Sequence, residues 1–290
     1  MKKLSNFIEV VRDSNVKYTH YATSPLKNSV CFVLNLEYLN IANKNDNISA
    51  IITTKELADR VDLKKGLVVS ENPKKDFFEL HNKFIYDGLN NIEISTQIDK
   101  TAKIADTAKI YENVYLGKNV VIEDFVVINS NTIIEDNTYI GQNVVIGARG
   151  MHNTMIDGKF IHVEDAGGVH IAKGCEILTG AIIQKSYFAE FVTIEEQTKI
   201  SVGVKIGHGC KIGKRTLIAG SVQVSGYNVI GDDVWIGPSA VLAHGLKIGN
   251  SAEIKLGSVV VKDVKEGAEI SGNFAYNHSK RVRNFIKEQR

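Results

Sequence analysis

Residues 194–249 read IEEQTK ISVGVK IGHGCK IGKRTL IAGSVQ VSGYNV IGDDVW IGPSAV LAHGLK IG, divided here at a beat of six. An aliphatic residue opens every block: Ile194, Ile200, Ile206, Ile212, Ile218, Val224, Ile230, Ile236, Leu242 and Ile248. The beat runs on through Ile254 and Val260. A period of six is neither the 3.6 of a helix nor the 2 of an alternating strand. On a helix it would scatter the aliphatics around the whole circumference, leaving no apolar stripe. It fits a solenoid in which each block forms one flat side of a triangular coil. Three blocks close a coil, and coils stack at the strand spacing of about 4.8 Å. The aliphatics then fill the interior, and glycines such as Gly117, Gly141, Gly207, Gly213, Gly231, Gly237 and Gly249 are expected to permit tight corners.

Upstream, the same beat starts near Ile92 and passes through Ile98, Ile104, Ile110, Leu116, Ile122, Ile128, Ile134, Ile140 and Ile146. Four residues after these come small or β-branched side chains, among them Ala102, Ala108, Val114, Val120 and Thr138. The beat returns at Ile171 and Ile177, with a phase shift expected near Gly180. Residues 148–167, ARGMHNTMIDGKFIHVEDAG, carry no beat and are expected to be a loop expelled from a coil. Residues 1–91 lack the repeat and read as a small α/β domain. Strands are expected at VCFVLNLEYLNI, AIITTK and GLVVS. A helix is expected from Asn72, with Pro73 at its first position. The division is therefore 1–91, 92–271 for the solenoid and 272–290 for a tail, where SKRVRNFIKEQR suggests a short basic helix. Solenoid ends need caps, and the N-terminal domain and this helix are expected to supply them.

A hydrophobic content of 43% with 23% charged residues gives ample core material. Thirty-five Lys and Arg against 33 Asp and Glu leave a net charge of +2, too little for a field that recruits nucleic acid or acidic membrane. The opening MKKLSNFIEVVRDSNVKYTH has no apolar core, so neither a signal peptide nor an integral membrane segment is expected. Cys31, Cys175 and Cys210 are odd in number and scattered, which suits a reducing cytoplasm and interior positions.

Among eight histidines, His20, His81 and His278 lie outside the repeat and read as surface or packing residues. His170 should project outward from a coil. His152 and His162 fall in the expelled loop, within reach of a substrate. His208 and His244 each follow an interior aliphatic by two residues and lie two coils apart, so they share a column with Gly226 midway. The strand spacing puts them about 9.6 Å apart. That notch could hold a general base and a second polar contact. Two coils is too far for both to bind one metal ion within a chain, and no metal is expected.

Three passages carry a family resemblance. CFVLNLEY followed by SENPKKDFFEL resembles the nucleotide-binding domain of UDP-3-O-acylglucosamine N-acyltransferase, an enzyme of lipid A synthesis. The resemblance assigns uracil contacts to Phe32, Asn35 and Tyr38, and their spacing requires a bend or strand end. IGARGMHNTMIDGKFIHVEDAGGVHIAKGCEIL, through to VTIEEQTKISVGVKIGHGCKIG, follows that family's order of loop and coils. It places His208 on the catalytic histidine, His244 beside a second active-site histidine, and Gly226 on the acyl-donor channel. DDVWIGPSAVL and GSVVVKDVKEGAEISGNFA are similar to the closing coils of CoA-dependent hexapeptide acetyltransferases.

The resemblance implies a left-handed parallel β-helix and His208 as general base with His244 lining the pocket; His162 is a candidate substrate contact from its place in the loop, and three flat faces with one side of a groove on each point to a homotrimer. Carbonic anhydrases on this fold need a further histidine after the second, and GLKIGN supplies none. The solenoid before the loop and the tail are both shorter than in the lipid A enzyme. Ser201 stands where an acidic residue often precedes the catalytic histidine. The sibling branch, which N-acylates nucleotide-linked (dTDP or UDP) deoxyamino sugars for surface polysaccharides with acyl-CoA as donor, fits both halves better. The alternatives are the lipid A enzyme itself, taking its acyl group from acyl carrier protein, and a non-catalytic trimeric scaffold that binds a sugar nucleotide.

Overall fold

The computed structural model describes residues 1–272 and 278–288. Between Gln97 and Ile270 short strands wind through three parallel sheets of eight, nine and eight strands. Each strand pairs with its counterparts one coil before and after. Lys199 and Ile200 lie opposite Leu217 and Ile218, which lie opposite Trp235 and Ile236. This is a left-handed parallel β-helix. The aliphatic rungs Ile194, Ile200, Ile206, Ile212, Ile218, Ile230, Ile236, Leu242 and Ile248 are all buried. A second buried stack stands four residues on, with Val204, Cys210, Val222, Val234 and Ala240. Asn228 occupies this stack and is fully paired. Its Nδ2 donates to the carbonyls of Ser225 and Ala243 at 2.7 and 2.9 Å, and Oδ1 accepts from Leu246 N at 3.2 Å. A buried amide left unpaired would cost several kcal/mol, on the order of 2–7.

The glycines after the rungs serve a different purpose from the one expected. Corners with left-handed backbone fall mostly on other residues, such as Asn119, Arg215, Ser221 and Tyr227, with φ between 54° and 61°. Gly207 has no positive φ; a Cβ there would lie 2.6 Å from Gly226 N in the next coil. Close stacking of coils, not turn conformation, demands glycine at that position.

Two excursions leave the coil. Residues 148–167 are not an irregular loop but contain an antiparallel hairpin, Asn153–Ile156 against Lys159–His162. Asp157 and Gly158, at φ 50° and 72°, form its turn, the left-handed pair that a two-residue hairpin favours. The phase shift expected near Gly180 comes a few residues later, as a second excursion. The beat holds at Ile183, which pairs with Ile206, and breaks afterwards, so that Tyr187 and Phe188 leave the coil before Ile194 resumes it.

Residues 1–90 form a parallel four-stranded sheet, β1 (Tyr18–Thr19), β2 (Ser29–Phe32), β3 (Ile48–Thr53) and β4 (Gly66–Val69). Helices α1 (Leu36–Lys44), α2 (Lys55–Ala58) and α3 (Pro73–Tyr86) accompany it. The expected strand over VCFVLNLEYLNI ends at Phe32. Asn35 then caps α1, its side chain accepting from Tyr38 N at 3.0 Å, so LEYLNI is helical. Asn72 caps α3 in the same way.

This unit does not cover the first coil. Ile98 is 45% exposed, and Ile104 and Ile110 are only partly buried. The N-terminal unit packs sideways, burying Phe77, Phe78, Leu80 and Phe84 with Val163 and Phe188 of the two excursions. The excursions offer it an apolar flank that the open end lacks. A helix α4 (His278–Glu288) follows the solenoid, while residues 273–277 and 289–290 of the expected tail lie outside the described residues. No described helix is long and apolar enough to cross a membrane.

Candidate active site

The two excursions and α3 converge on the column that carries His208. Helix α3 pins the return of the hairpin. Asn82 Nδ2 donates to the His162 carbonyl at 2.7 Å, and Asn82 Oδ1 accepts from Glu164 N at 3.0 Å. His81, fully buried, donates from Nε2 to the Glu164 carbonyl at 2.9 Å, leaving Nδ1 to accept from the Thr19 hydroxyl at 2.6 Å. Burial pushes the His81 imidazole down to about 4, opposed by its bond to Glu164. It is therefore a neutral structural tie, and the packing role expected of it is met in the core rather than at the surface.

With residues 162–165 held, Asp165 reaches His152: Oδ1 lies 2.5 Å from Nδ1, and both side chains are only 5% exposed. The His152 ring stands edge-on to His208, with centroids 4.6 Å apart and planes at 88°. Tyr187, Tyr227 and His244 complete the ring around His208 at 5.4, 5.3 and 5.9 Å. The separation of His208 and His244 is thus well below the strand-spacing value, because the two rings lean together over Gly226. A Cβ on Gly226 would come within 2.5 Å of His208 Nε2.

Burial, reinforced by His152 and His244, pushes the His208 imidazole down to about 4, against an opposing pull from Asp165 and Glu190. At neutral pH His208 is uncharged and keeps a lone pair. Burial also raises the hydroxyls of Tyr21, Tyr187 and Tyr227 above the ordinary phenol value, so all three remain donors. Tyr21 and Tyr187 share a hydrogen bond of 2.7 Å between their hydroxyls.

A cavity of about 280 Å³ runs from Phe32, Lys74 and Phe78 to His152, Tyr187 and His208. A second, of about 460 Å³, is lined by Val33, Leu34, Asn35 and Tyr38. Tyr21 and Phe32 border both. The bend required between Phe32 and Tyr38 exists as the step from β2 into α1. His162 pairs with Asn153 at 3.2 Å and is absent from the cavity wall, where His152 stands instead. His170 bonds Glu135 at 2.8 Å, away from the site. The three cysteines are buried, and burial raises each thiol, to about 11 for Cys175 and about 12 for the others.

The sequence reading passed over Tyr187, Tyr227 and the Asp165–His152 pair. For Tyr187 a signal existed, the lost beat between Ile183 and Ile194. The pairing of His152 with Asp165 has no such signal, because hairpin register and the anchoring by α3 create it.

Residues 113–148 match the bacterial transferase hexapeptide (six repeats) family. The UDP-3-O-acylglucosamine N-acyltransferase of Herminiimonas arsenicoxydans is 33% identical over 126 residues, 43% of this chain and 36% of that protein. The chain thus spans little more than a third of the length of that curated relative. A chloramphenicol acetyltransferase of Klebsiella aerogenes is 48% identical over 59 residues, 20% of this chain and 28% of that protein. The solved Francisella novicida UDP-N-acetylglucosamine acyltransferase aligns at 23% identity over 65% of this chain and 71% of its own, with a TM-score of 0.49. The chain is thus a left-handed parallel β-helix built on a six-residue repeat, and part of it is similar to UDP-3-O-acylglucosamine N-acyltransferase.

Proposed function

We propose that this protein transfers an acyl group from a thioester to the amine of a nucleotide-linked sugar. The observation that carries the reading is the pair of cavities sharing Tyr21 and Phe32. One offers aromatic rings and the Asn35 amide to a base, and the other ends on the neutral imidazole of His208. Stacking on Phe32 and Tyr38 would anchor the nucleoside, and the sugar would extend past Tyr187 toward His208. The thioester would approach along the His208–Gly226–His244 column. His208 would accept the proton as the amine attacks, with His244 beside the donor. Protonated tyrosine hydroxyls are suited to meet developing negative charge. A neutral sugar amine is already nucleophilic, so holding the two reactants together supplies much of the acceleration.

The names of the relatives favour a UDP-linked, 3-O-acylated glucosamine as acceptor; under that reading the donor would be an acyl carrier protein. The second reading, a dTDP- or UDP-linked deoxyamino sugar acylated from acyl-CoA, draws support from the stretch shared with chloramphenicol acetyltransferase. Mass spectrometry of reactions offering acetyl-CoA or hydroxyacyl carrier protein, each against UDP- and dTDP-amino sugars, separates the two. No mass gain on any amino sugar would reject the acyl-transfer reading. The exposed apolar residues Leu217, Trp235, Val241 and Val259 on the coil support a homotrimer in which neighbouring solenoids close the groove.

A further inference from the structure

The acyl-transfer reading leaves a difficulty at His208: its surroundings disfavour the imidazolium that proton removal creates. Among the described residues no carboxylate hydrogen-bonds to it, and Ser201 is not acidic. The carboxylate of this site stands one imidazole further back. Asp165 holds His152 Nδ1 at 2.5 Å, while His152 Nε2 is buried with no hydrogen-bond partner. A buried imidazole nitrogen without a partner is costly, and here it lies in a ring packed edge-on against His208. Gly150 is part of this arrangement, since a Cβ at that position would fall 2.3 Å from His152 Nε2.

We infer that Asp165 and His152 form a carboxylate–imidazole pair that acts through His208, fixing its ring by edge-on packing and opposing, with the Asp165 charge, the cost of the imidazolium formed when His208 takes the proton of the attacking amine. His152 is then a positioning residue rather than one that touches substrate. In the step itself the amine lone pair forms the C–N bond at the thioester carbonyl. The amine proton passes to His208. The C–S bond breaks with its electron pair on sulfur, and the thiolate regains that proton. The carboxylate keeps the His152 Nδ1 proton in place throughout, so the ring packed against His208 holds one orientation. The charged and titratable groups facing the pair and His208 are Arg149 beside Asp165, Glu164 next to it in the chain, His81 from α3, Tyr187, His244 and Glu190.

The inference rests on the acyl-transfer reading, and its test separates the two. Asp165→Asn keeps the shape and an acceptor but removes the charge. It should lower kcat at least about tenfold, a fraction of the range for positioned proton transfer, with little change in the KM for the nucleotide sugar. It should also move the acidic limb of the pH profile to lower pH, because the carboxylate no longer favours protonation of the paired imidazoles. A merely structural Asp165 would leave that limb where it was. His152→Gln should show the same loss of kcat. In the ligand-free protein, nitrogen NMR should find His152 protonated at Nδ1, with that preference lost in Asp165→Asn. Variants that fold, keep kcat within about threefold and keep the limb would overturn the pair's role while leaving acyl transfer intact. So would a His152 protonated at Nε2. Failure of the wild-type protein to acylate any donor and acceptor pair would instead overturn the acyl-transfer reading, and the pair's role with it.

Discussion

Replacing Gly226 by alanine should disable the site while sparing the fold. The added Cβ would sit 2.5 Å from His208 Nε2, 2.6 Å from Cε1 and 2.9 Å from Cδ2, where ordinary contact is 3.4–4 Å. Gly226 has no positive φ, so its backbone accepts alanine and the imidazole must yield by about 1 Å. The ring has little space to retreat into, with His152 at 4.6 Å, Tyr227 at 5.3 Å and Tyr187 at 5.4 Å between centroids. Overpacking of this kind costs about 1–3 kcal/mol of stability. A reacting group misplaced by about 1 Å costs on the order of a hundredfold in rate. Steady-state kcat with the donor and acceptor identified by mass spectrometry, alongside the thermal midpoint, measures both effects. Gly220→Ala is the control, because a Cβ there meets nothing nearer than 3.4 Å. It should stay within about 0.5 kcal/mol of wild type. A folded Gly226→Ala protein with unchanged kcat would refute the reasoning, since His208 would then tolerate displacement and could not be handling the proton.

Phe32→Ala and Tyr38→Ala should each raise the KM for the nucleotide sugar with kcat nearly unchanged, by the equivalent of about 1–3 kcal/mol if the ring stacks on the base; an unmoved KM in both would place the base elsewhere. His208→Asn should lower kcat by about 10²–10⁴, and His244→Ala by less; reversal of that order in steady-state assays would exchange their roles. His81 is neutral in the fold at about 4 against an ordinary 6.5, so between those values the unfolded chain binds more protons. Stability should therefore be full above about pH 6.5 and fall as pH drops toward 4, with a slope of up to about 1.4 kcal/mol per pH unit from this group. Denaturant unfolding across that window, compared with His81→Gln, checks it, and an equal slope in the variant would assign the effect to other groups. Light scattering should give about three times the 32.0 kDa chain mass; a monomer with full activity would exclude a site shared between solenoids.

The beat of six determines the solenoid by itself. One aliphatic per flat side leaves no helical stripe and no alternating sheet, so rungs such as Ile200, Ile218 and Ile236 must stack. The column His208–Gly226–His244 follows from the same count, because residues a whole number of coils apart lie over one another. Asn72 and Pro73 likewise announce α3, a local signal read locally. Other local signals were present but misread: Asn35 as a strand residue rather than the cap of α1, and Asp157–Gly158 as loop rather than hairpin turn.

What no spacing contains is the arrangement beyond the coil. His152 meets His208 only because a hairpin folds back over the solenoid. Asp165 meets His152 only because His81 and Asn82 of a different unit hold residues 162–164 in place. The N-terminal unit sits beside the excursions rather than on the open first coil because Val163 and Phe188 give its phenylalanines an apolar surface to bury. Periodic contacts repeat along the chain and can be counted from sequence. Contacts between excursions happen once, and the burial and hydrogen bonding of the folded chain decide them.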